Sequence, residues 1–331
     1  MSLYLHGLGH FHPPNEITNR FLEDLDIGTN DDWILERVGI HSRRTILDLE
    51  YIRTTRNRDL RAAGEASTHT NTDLGVAAAE MAITRAGIAK SDIGMVIGGG
   101  SVPESLTPAD ASWIARALGI EAPAFDVNSA CTSFLVQIGL LQMMRPEALP
   151  DFVLIVVPEA VTRVIDYSDR SSAVIWGDGS AAAVISTKIP ARAEILGARI
   201  ASDPAGAGKV VVPRLGYFAQ DGRAVQMFAI RKTDAIYREL REEFATEGRT
   251  LHFVGHQANL RMLQSVCQRC SILPEHHHHN VEVRGNTAAA SSPSVVSARW
   301  DEWAEGDDVA VVGVGAGLTW AGYLLRFGRV A

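Results

Sequence analysis

Two stretches in opposite halves of the chain share one plan. DFVLIVVPEA (151–160) and DDVAVVGVGAG (307–317) each open on an acidic residue and then run apolar along both faces. A strand that is apolar on both sides belongs in a sheet covered by helices front and back, which restricts the chain to α/β layering. The surrounding segments repeat in order as well. MVIGGGS (95–101) and LHFVGHQ (251–257) read as strands running into polar turns. AFDVNSA (124–130) and NVEVRGN (280–286) read as strands leading into small-residue helix starts. AAAVIS (181–186) is a further strand, and helices are expected over 71–87, 110–118 and 258–270 from their apolar spacing. The expectation is two similar halves, 1–187 and 188–331, related by a pseudo-two-fold axis, with Cys131 and Asn286 at equivalent helix starts. The segment 46–69, rich in Arg, Asp and Thr, reads as surface helix or loop outside the core.

A length of 331 residues fits about two units of ~150 residues. The net charge of -8 argues against nucleic acid or an anionic membrane as the main partner. No apolar run approaches the ~20 residues of a membrane span. The first residues lack the basic and apolar regions of a secretory signal. Three cysteines are too few for a disulfide framework, so a cytoplasmic location is expected.

The chemistry concentrates at three junctions. After Cys131, the residues FLVQIGLLQMM leave almost no polar face, the mark of a helix buried in the middle of a domain. A cysteine at the mouth of such a helix meets unpaired N–H groups and the positive dipole end, which favour a thiolate. Most free cysteines, however, simply fill apolar space. His256 follows a strand directly in GHQANLRML, where a turn or cap histidine would look the same. Asn286 follows a glycine in RGNTAAASSP, where asparagine is also a routine N-cap. Together the three place a thiol, an imidazole and a carboxamide at the C-terminal ends of strands, where α/β sheets bind ligands.

In this order, NSACTSF, GHQANLRML and RGNTAAASSP resemble the motifs of the ketoacyl-ACP synthase III family within the thiolase superfamily. DDWILERVGIHSRR (31–44), SDRSSAVIWGDGSAAAVIS (168–186) and GVGAGLTWAGYLLRF (313–327) are similar to further family segments. The resemblance implies a thiolase fold, five-layered α-β-α-β-α from two duplicated halves, assembled as a homodimer. It implies that Cys131 takes an acyl group from acyl-CoA or an acyl carrier protein. His256 and Asn286 would then stabilise the enolate formed when a malonyl thioester loses CO2. The oxyanion hole would come from the N–H groups of Cys131 and Gly317. Trp33 would stack on the adenine of coenzyme A, with Arg37 and Arg170 at nucleotide and phosphate contacts. Phe228 and Asn259 would belong to the substrate and coenzyme A site, and Arg261 would lie in the basic patch that meets the carrier protein's phosphopantetheine arm. No resident cofactor is implied. The alternative is an acyltransferase that moves an acyl group through Cys131 onto a hydroxyl or amine of a natural product.

Departures point to a specialised member making a secondary metabolite or an unusual fatty precursor, not the housekeeping initiator. QMFAIRKTDA (226–235) stands where the family has a Met-Ala-Gly-Asn turn. Thr107 falls near a position that often carries a bulky aromatic limiting acyl length across the dimer interface. The run His276–His279 beside Cys267 and Cys270 invites a metal-site reading. The i, i+3 spacing of the cysteines fits a buried helix face better, and the histidines are expected to face solvent.

Overall fold

The computed structural model describes residues 2–329. Its first half holds β1 (Leu3–Phe11), β2 (Asn15–Thr18), β3 (Ser42–Thr45), β4 (Ile93–Gly98), β5 (Ala124–Asp126), β6 (Phe152–Glu159) and β7 (Gly179–Ser186). The second half holds β8 (Ala193–Ser202), β9 (Val210–Val211), β10 (Ala219–Gln220), β11 (Thr250–Gly255), β12 (Asp307–Gly315) and β13 (Thr319–Phe327). Nine of them form one sheet in the order β11-β12-β13-β8-β1-β7-β6-β4-β5. Read outward from the antiparallel β1–β8 contact, the two sides match: β7 with β13, β6 with β12, β4 with β11. β6 and β7 are buried along almost their whole length, as their two-sided apolar pattern requires.

Two helices fill the space between the half-sheets. Ser133–Met143 packs on β6 and on β8 and β13, while Ser291–Ala298 packs on β1 and β7 and on β11 and β12. Each therefore touches both halves, which accounts for the lack of a polar face after Cys131. The outer layers are Asn71–Ala86 with Asp110–Leu118 on one side and Gly222–Phe244 with Leu260–Cys270 on the other. The result is the five-layered α-β-α-β-α thiolase arrangement. Asn71–Ala86 starts with a reciprocal cap, Thr70 Oγ1 accepting the Asp73 N–H and Asp73 accepting the Thr70 N–H, and stops at Gly87 with φ 67°.

Four expectations need correction. NVEVRGN is not a strand: Val281–Arg284 is a single helical turn, so the second half has no counterpart of β5. The side-chain oxygen of Gln257 accepts the N–H groups of Asn280 and Val281 and bends the chain there, where the V-E-V alternation alone suggests extension. The segment 46–69 does enter the core, with Ile46, Leu47, Ile52 and Ala63 fully buried. Its charged residues cover two short helices, and its few apolar residues anchor them. QMFAIRKTDA is no turn but part of the long helix Gly222–Phe244. Lastly, His277 and His278 are buried. His278 Nε2 meets His252 Nδ1 at 2.9 Å and its ring stands edge-on to Trp303, while His277 stacks on Phe253. Only His279 of the run is exposed, paired with Glu282 at 2.6 Å.

Cys267 and Cys270 lie on the buried face of their helix. Among the described residues, no group of three or more His, Cys, Asp or Glu side chains is placed to hold a metal ion. Nor is any described helix long and apolar enough to cross a membrane.

Candidate active site

Cys131, His256 and Asn286 line one cavity of about 600 Å³. Cys131 sits in a 3-10 turn, Ala130–Thr132, that leads into Ser133–Met143. The turn needs Ala130 at φ 47°, and Asn128 closes it by accepting the Ala130 N–H at 2.8 Å. The other half repeats this arrangement three residues before its own helix. Ala288 has φ 44°, Asn286 Oδ1 accepts the Ala288 N–H at 2.9 Å, and Ala288–Ala290 is a 3-10 turn leading into Ser291–Ala298. Asn286 therefore corresponds to Asn128, and Cys131 to Ala289; the expected equivalence of Cys131 with Asn286 is displaced by three residues. Because the Asn286 oxygen is committed to Ala288, its amide nitrogen is the part free to act as a donor.

The backbone of Asn286 is held by the first half. Its N–H donates to Ile175 O at 2.9 Å, and its carbonyl accepts the Gly177 N–H at 3.0 Å. A Cβ at Gly177 would stand 2.2 Å from Arg284 O, so this crossing needs glycine. Buried Asp178 next to it accepts the N–H groups of Ile46 and Thr162, each at 2.8 Å. The WGDGS segment thus fixes the loop that carries Asn286.

His256 follows β11 and is 7% exposed. Burial alone holds its imidazole down at about 4, so it is neutral at pH 7. Its Nδ1 lies 2.6 Å from Ser291 Oγ, and that same oxygen accepts the Gln257 N–H at 3.2 Å. Among the described residues no other acceptor is placed for the Ser291 hydroxyl proton, so that proton is directed to Nδ1. That leaves the hydrogen of the ring on Nε2, as a donor. Ser291 and Gln257 are positioning residues that the motif reading passed over; their only sequence signal is a serine at a helix start and a glutamine after the histidine.

Cys131 is half-buried, and its thiol is pushed up to about 12 by burial and by the nearby Glu159 carboxylate. The helix-start position was expected to favour the thiolate; burial outweighs it. Gly315, at the end of β12, faces this turn. A Cβ placed on it would lie 3.2 Å from the backbone nitrogens of Cys131 and Thr132, so glycine keeps that N–H region open to the cavity.

The remaining expected residues divide. Trp33, Arg37 and Asn259 line the same cavity. Arg37 and Arg170 each place a guanidinium over the Trp33 ring, at 4.4 and 4.9 Å from its centre. Asn259 caps the helix Leu260–Cys270 by accepting the Met262 N–H at 3.2 Å and donates to Arg37 O at 3.3 Å. Gly317 does not reach the wall; Gly315 and Ala316 do. Its φ of 131° serves the turn before β13. Phe228 is also outside: it is buried against Trp320, and Gln226 and Ala229 of the same helix face the cavity in its place. Helical spacing turns Phe228 away, which the turn reading could not anticipate. Arg261 is exposed and donates to Leu35 O at 2.9 Å. Thr107 is exposed and lies on no part of this chain's own cavity.

Known proteins share this fold and sequence. The family model of 3-Oxoacyl-[acyl-carrier-protein (ACP)] synthase III matches residues 125–204, and the model of its C terminal matches residues 245–327. The beta-ketoacyl-[acyl-carrier-protein] synthase III of Symbiobacterium thermophilum is 31% identical over 341 residues, covering 98% of this chain and 97% of the relative. The crystal structure of 3-oxoacyl-[acyl-carrier-protein] synthase III from Aquifex aeolicus VF5 superposes with a TM-score of 0.86 at 27% identity, covering 98% of this chain and 100% of that one. The priming β-ketosynthase from the R1128 polyketide biosynthetic pathway gives 0.83 at 28% identity, covering 99% and 96%. On these grounds the chain belongs to the 3-oxoacyl-[acyl-carrier-protein] synthase III family.

Proposed function

We infer that the protein is an acyl-thioester condensing enzyme of the acyltransferase class. Cys131 accepts an acyl group from acyl-CoA or an acyl carrier protein, and a malonyl thioester then loses CO2 and attacks that acyl group to give a β-ketoacyl thioester. The supporting observation is one cavity that joins a thiol, a neutral imidazole and an amide nitrogen whose companion oxygen is already engaged. An enolate oxygen needs donors that do not titrate away at neutral pH, and His256 Nε2–H with Asn286 Nδ2–H supplies two. Acyl transfer alone has no use for the second.

Acylation puts negative charge on the thioester oxygen. The Cys131 N–H receives it, with Ala316 N–H as the second donor in place of Gly317. Coenzyme A enters past Trp33. Its adenine takes the place beside the ring over which Arg37 and Arg170 lie in the free enzyme, and the two guanidiniums move to its phosphates. Asn259 contacts the pantetheine arm and Arg261 the carrier protein. These groups suffice for every step, with the thioesters as substrates and no resident cofactor. The working unit is a homodimer: β5 closes one end of the sheet, and its Phe125 is 38% exposed. Thr107 reaches the partner's cavity, where its small side chain admits a long or branched acyl group suited to a secondary-metabolism precursor. The chain consists of two duplicated halves, 1–187 and 188–331, a division supported by the matched Asn128 and Asn286 turns.

Incubation with a panel of acyl-CoAs and malonyl-CoA, with CO2 release and product mass as readouts, tests this function. CO2 release coupled to a product longer by two carbons is expected. Acyl-Cys131 formation with no decarboxylation from any malonyl donor would leave acyl transfer alone.

A further inference from the structure

The turns that carry Cys131 and Asn286 are alike in backbone and unlike in what holds them. Residue for residue, Asn128 to Ser133 corresponds to Asn286 to Ser291, with Ala130 and Ala288 both at positive φ. An alanine stays in that region only when its surroundings hold it there. In the first half the holding is local. Ser129 Oγ meets Thr132 Oγ1 at 2.9 Å, while Ser133 Oγ accepts the Ser129 N–H at 2.9 Å and donates to Ala130 O at 2.7 Å.

The second half lacks these local bonds. Ala290 stands in the place of Thr132 and has no hydroxyl, so Thr287 lacks the partner that Ser129 has. Ser291, in the place of Ser133, gives its hydroxyl to His256 Nδ1 and the Gln257 N–H instead. The serine that orients the catalytic histidine is thus withdrawn from the turn that carries the catalytic asparagine.

Glu159 supplies what that turn is missing. It ends β6, is fully buried, and takes no part in the steps above. Its Oε1 accepts the Ala289 N–H at 3.0 Å and the Ser101 hydroxyl at 3.2 Å, and its Oε2 accepts the Ser101 N–H at 2.9 Å. The carboxylate therefore ties the turn to the segment after β4, with donors on both oxygens. Aligning DFVLIVVPEA with DDVAVVGVGAG sets Glu159 against Gly315. Gly315 leaves the N–H of Cys131 open to the cavity, whereas Glu159 occupies the N–H of Ala289, the residue equivalent to Cys131.

We propose that Glu159 is a positioning residue for the decarboxylation step. By holding the Ala289 N–H it keeps Ala288 at positive φ. That keeps the Ala288 N–H on Asn286 Oδ1 and the Asn286 amide nitrogen available as the donor to the enolate. Glu159 touches no reacting atom. Acylation does not depend on it, because the Cys131 turn carries its own hydroxyl bonds. The inference rests on the condensing reading of this site.

The test compares the two half-reactions in the full chain for Glu159→Ala and Glu159→Asp. Aspartate keeps the charge but is one CH2 too short to bridge Ser101 and Ala289. In both variants the maximal rate of CO2 release from malonyl-CoA should fall at least about tenfold, with KM for malonyl-CoA within about twofold. Acylation of Cys131 by acyl-CoA should not slow by more than about twofold in either. Exchange of the Ala288 and Ala289 amide hydrogens, read by peptide mass, should quicken at least about tenfold. If Glu159→Ala does not fold, Glu159→Asp decides. CO2 release within about twofold of the natural rate, equal loss of both half-reactions, or unchanged exchange in a folded variant overturns the proposal. If exchange quickens but the natural protein decarboxylates no malonyl thioester, the hold of Glu159 on the turn stands and the condensing reading fails.

Discussion

Asn128 and Asn286 make the same turn in the two halves, each Oδ1 accepting the N–H two residues on, at 2.8 Å from Ala130 and 2.9 Å from Ala288. One scaffold has been put to two uses. In the first half the turn presents the thiol three residues later, and in the second it presents the asparagine itself. Ala289, opposite Cys131 in this correspondence, is left with a capped N–H and no reactive side chain.

Gly315→Ala would put a methyl group 3.2 Å from the Cys131 nitrogen, inside the space an oxyanion must take. Acylation should fall by about a hundredfold, the scale of losing one oxyanion donor. Stopped mixing with acyl-CoA and mass detection of the Cys131 adduct checks this; an undiminished rate means the oxyanion lies elsewhere.

Ser291→Ala removes the hydroxyl 2.6 Å from His256 Nδ1. The ring can then hold its hydrogen on either nitrogen. Decarboxylation should drop by about tenfold, the equivalent of a hydrogen bond of about 1.4 kcal/mol, with acylation unchanged. Comparing the two steps separates this from general loosening, which would slow both.

Acid should unfold the protein earlier than its carboxylates alone would. Burial holds His277 at about 4 and His278 at about 3, with neighbouring charged groups adding to it, and His12 at about 3. The unfolded chain therefore binds protons first as pH falls below about 6.5, and stability declines from there through the lowered values. Glu159 acts oppositely: its raised carboxyl contributes stability that fades as pH rises from the ordinary carboxylate range toward 8. Urea midpoints between pH 7 and 4.5 should fall, and His278→Gln should flatten the slope by up to about 1.4 kcal/mol per pH unit. An unchanged slope would mean that this imidazole is not held neutral by the fold.

Phe125→Lys places a charge on the exposed edge formed by β5. Sedimentation should show the natural protein as a dimer and the variant as a monomer or a weak, concentration-dependent dimer. A dimer unaffected by this change would move the interface away from β5.

Much of this was readable before the fold was seen, for a physical reason. β6 and β12 are buried along almost their whole length and the Cys131 helix is buried up to its last turn, so their composition has little freedom to mislead. His256 and Asn286 stood out only in combination with Cys131, since a histidine or an asparagine alone at such a junction also serves as a turn or cap residue. The misreadings arose where a side chain from elsewhere decides the backbone. Gln257 bends Asn280–Val281, which V-E-V alternation reads as a strand. His277 and His278 are buried by Phe253 and Trp303, partners that no local pattern discloses. Glu159 looked like a strand's polar end, and only its distances to Ser101 and Ala289 reveal a buried carboxylate.

The most direct measurement pairs the two half-reactions on one preparation of Asn286→Asp. Aspartate can still accept the Ala288 N–H, so the turn should persist while the donor toward the cavity is replaced by a negative charge. The predicted result is Cys131 acylation near the natural rate with CO2 release from malonyl-CoA reduced by at least about a hundredfold. CO2 release at the natural rate, or equal loss of both steps in a folded protein, would contradict the account.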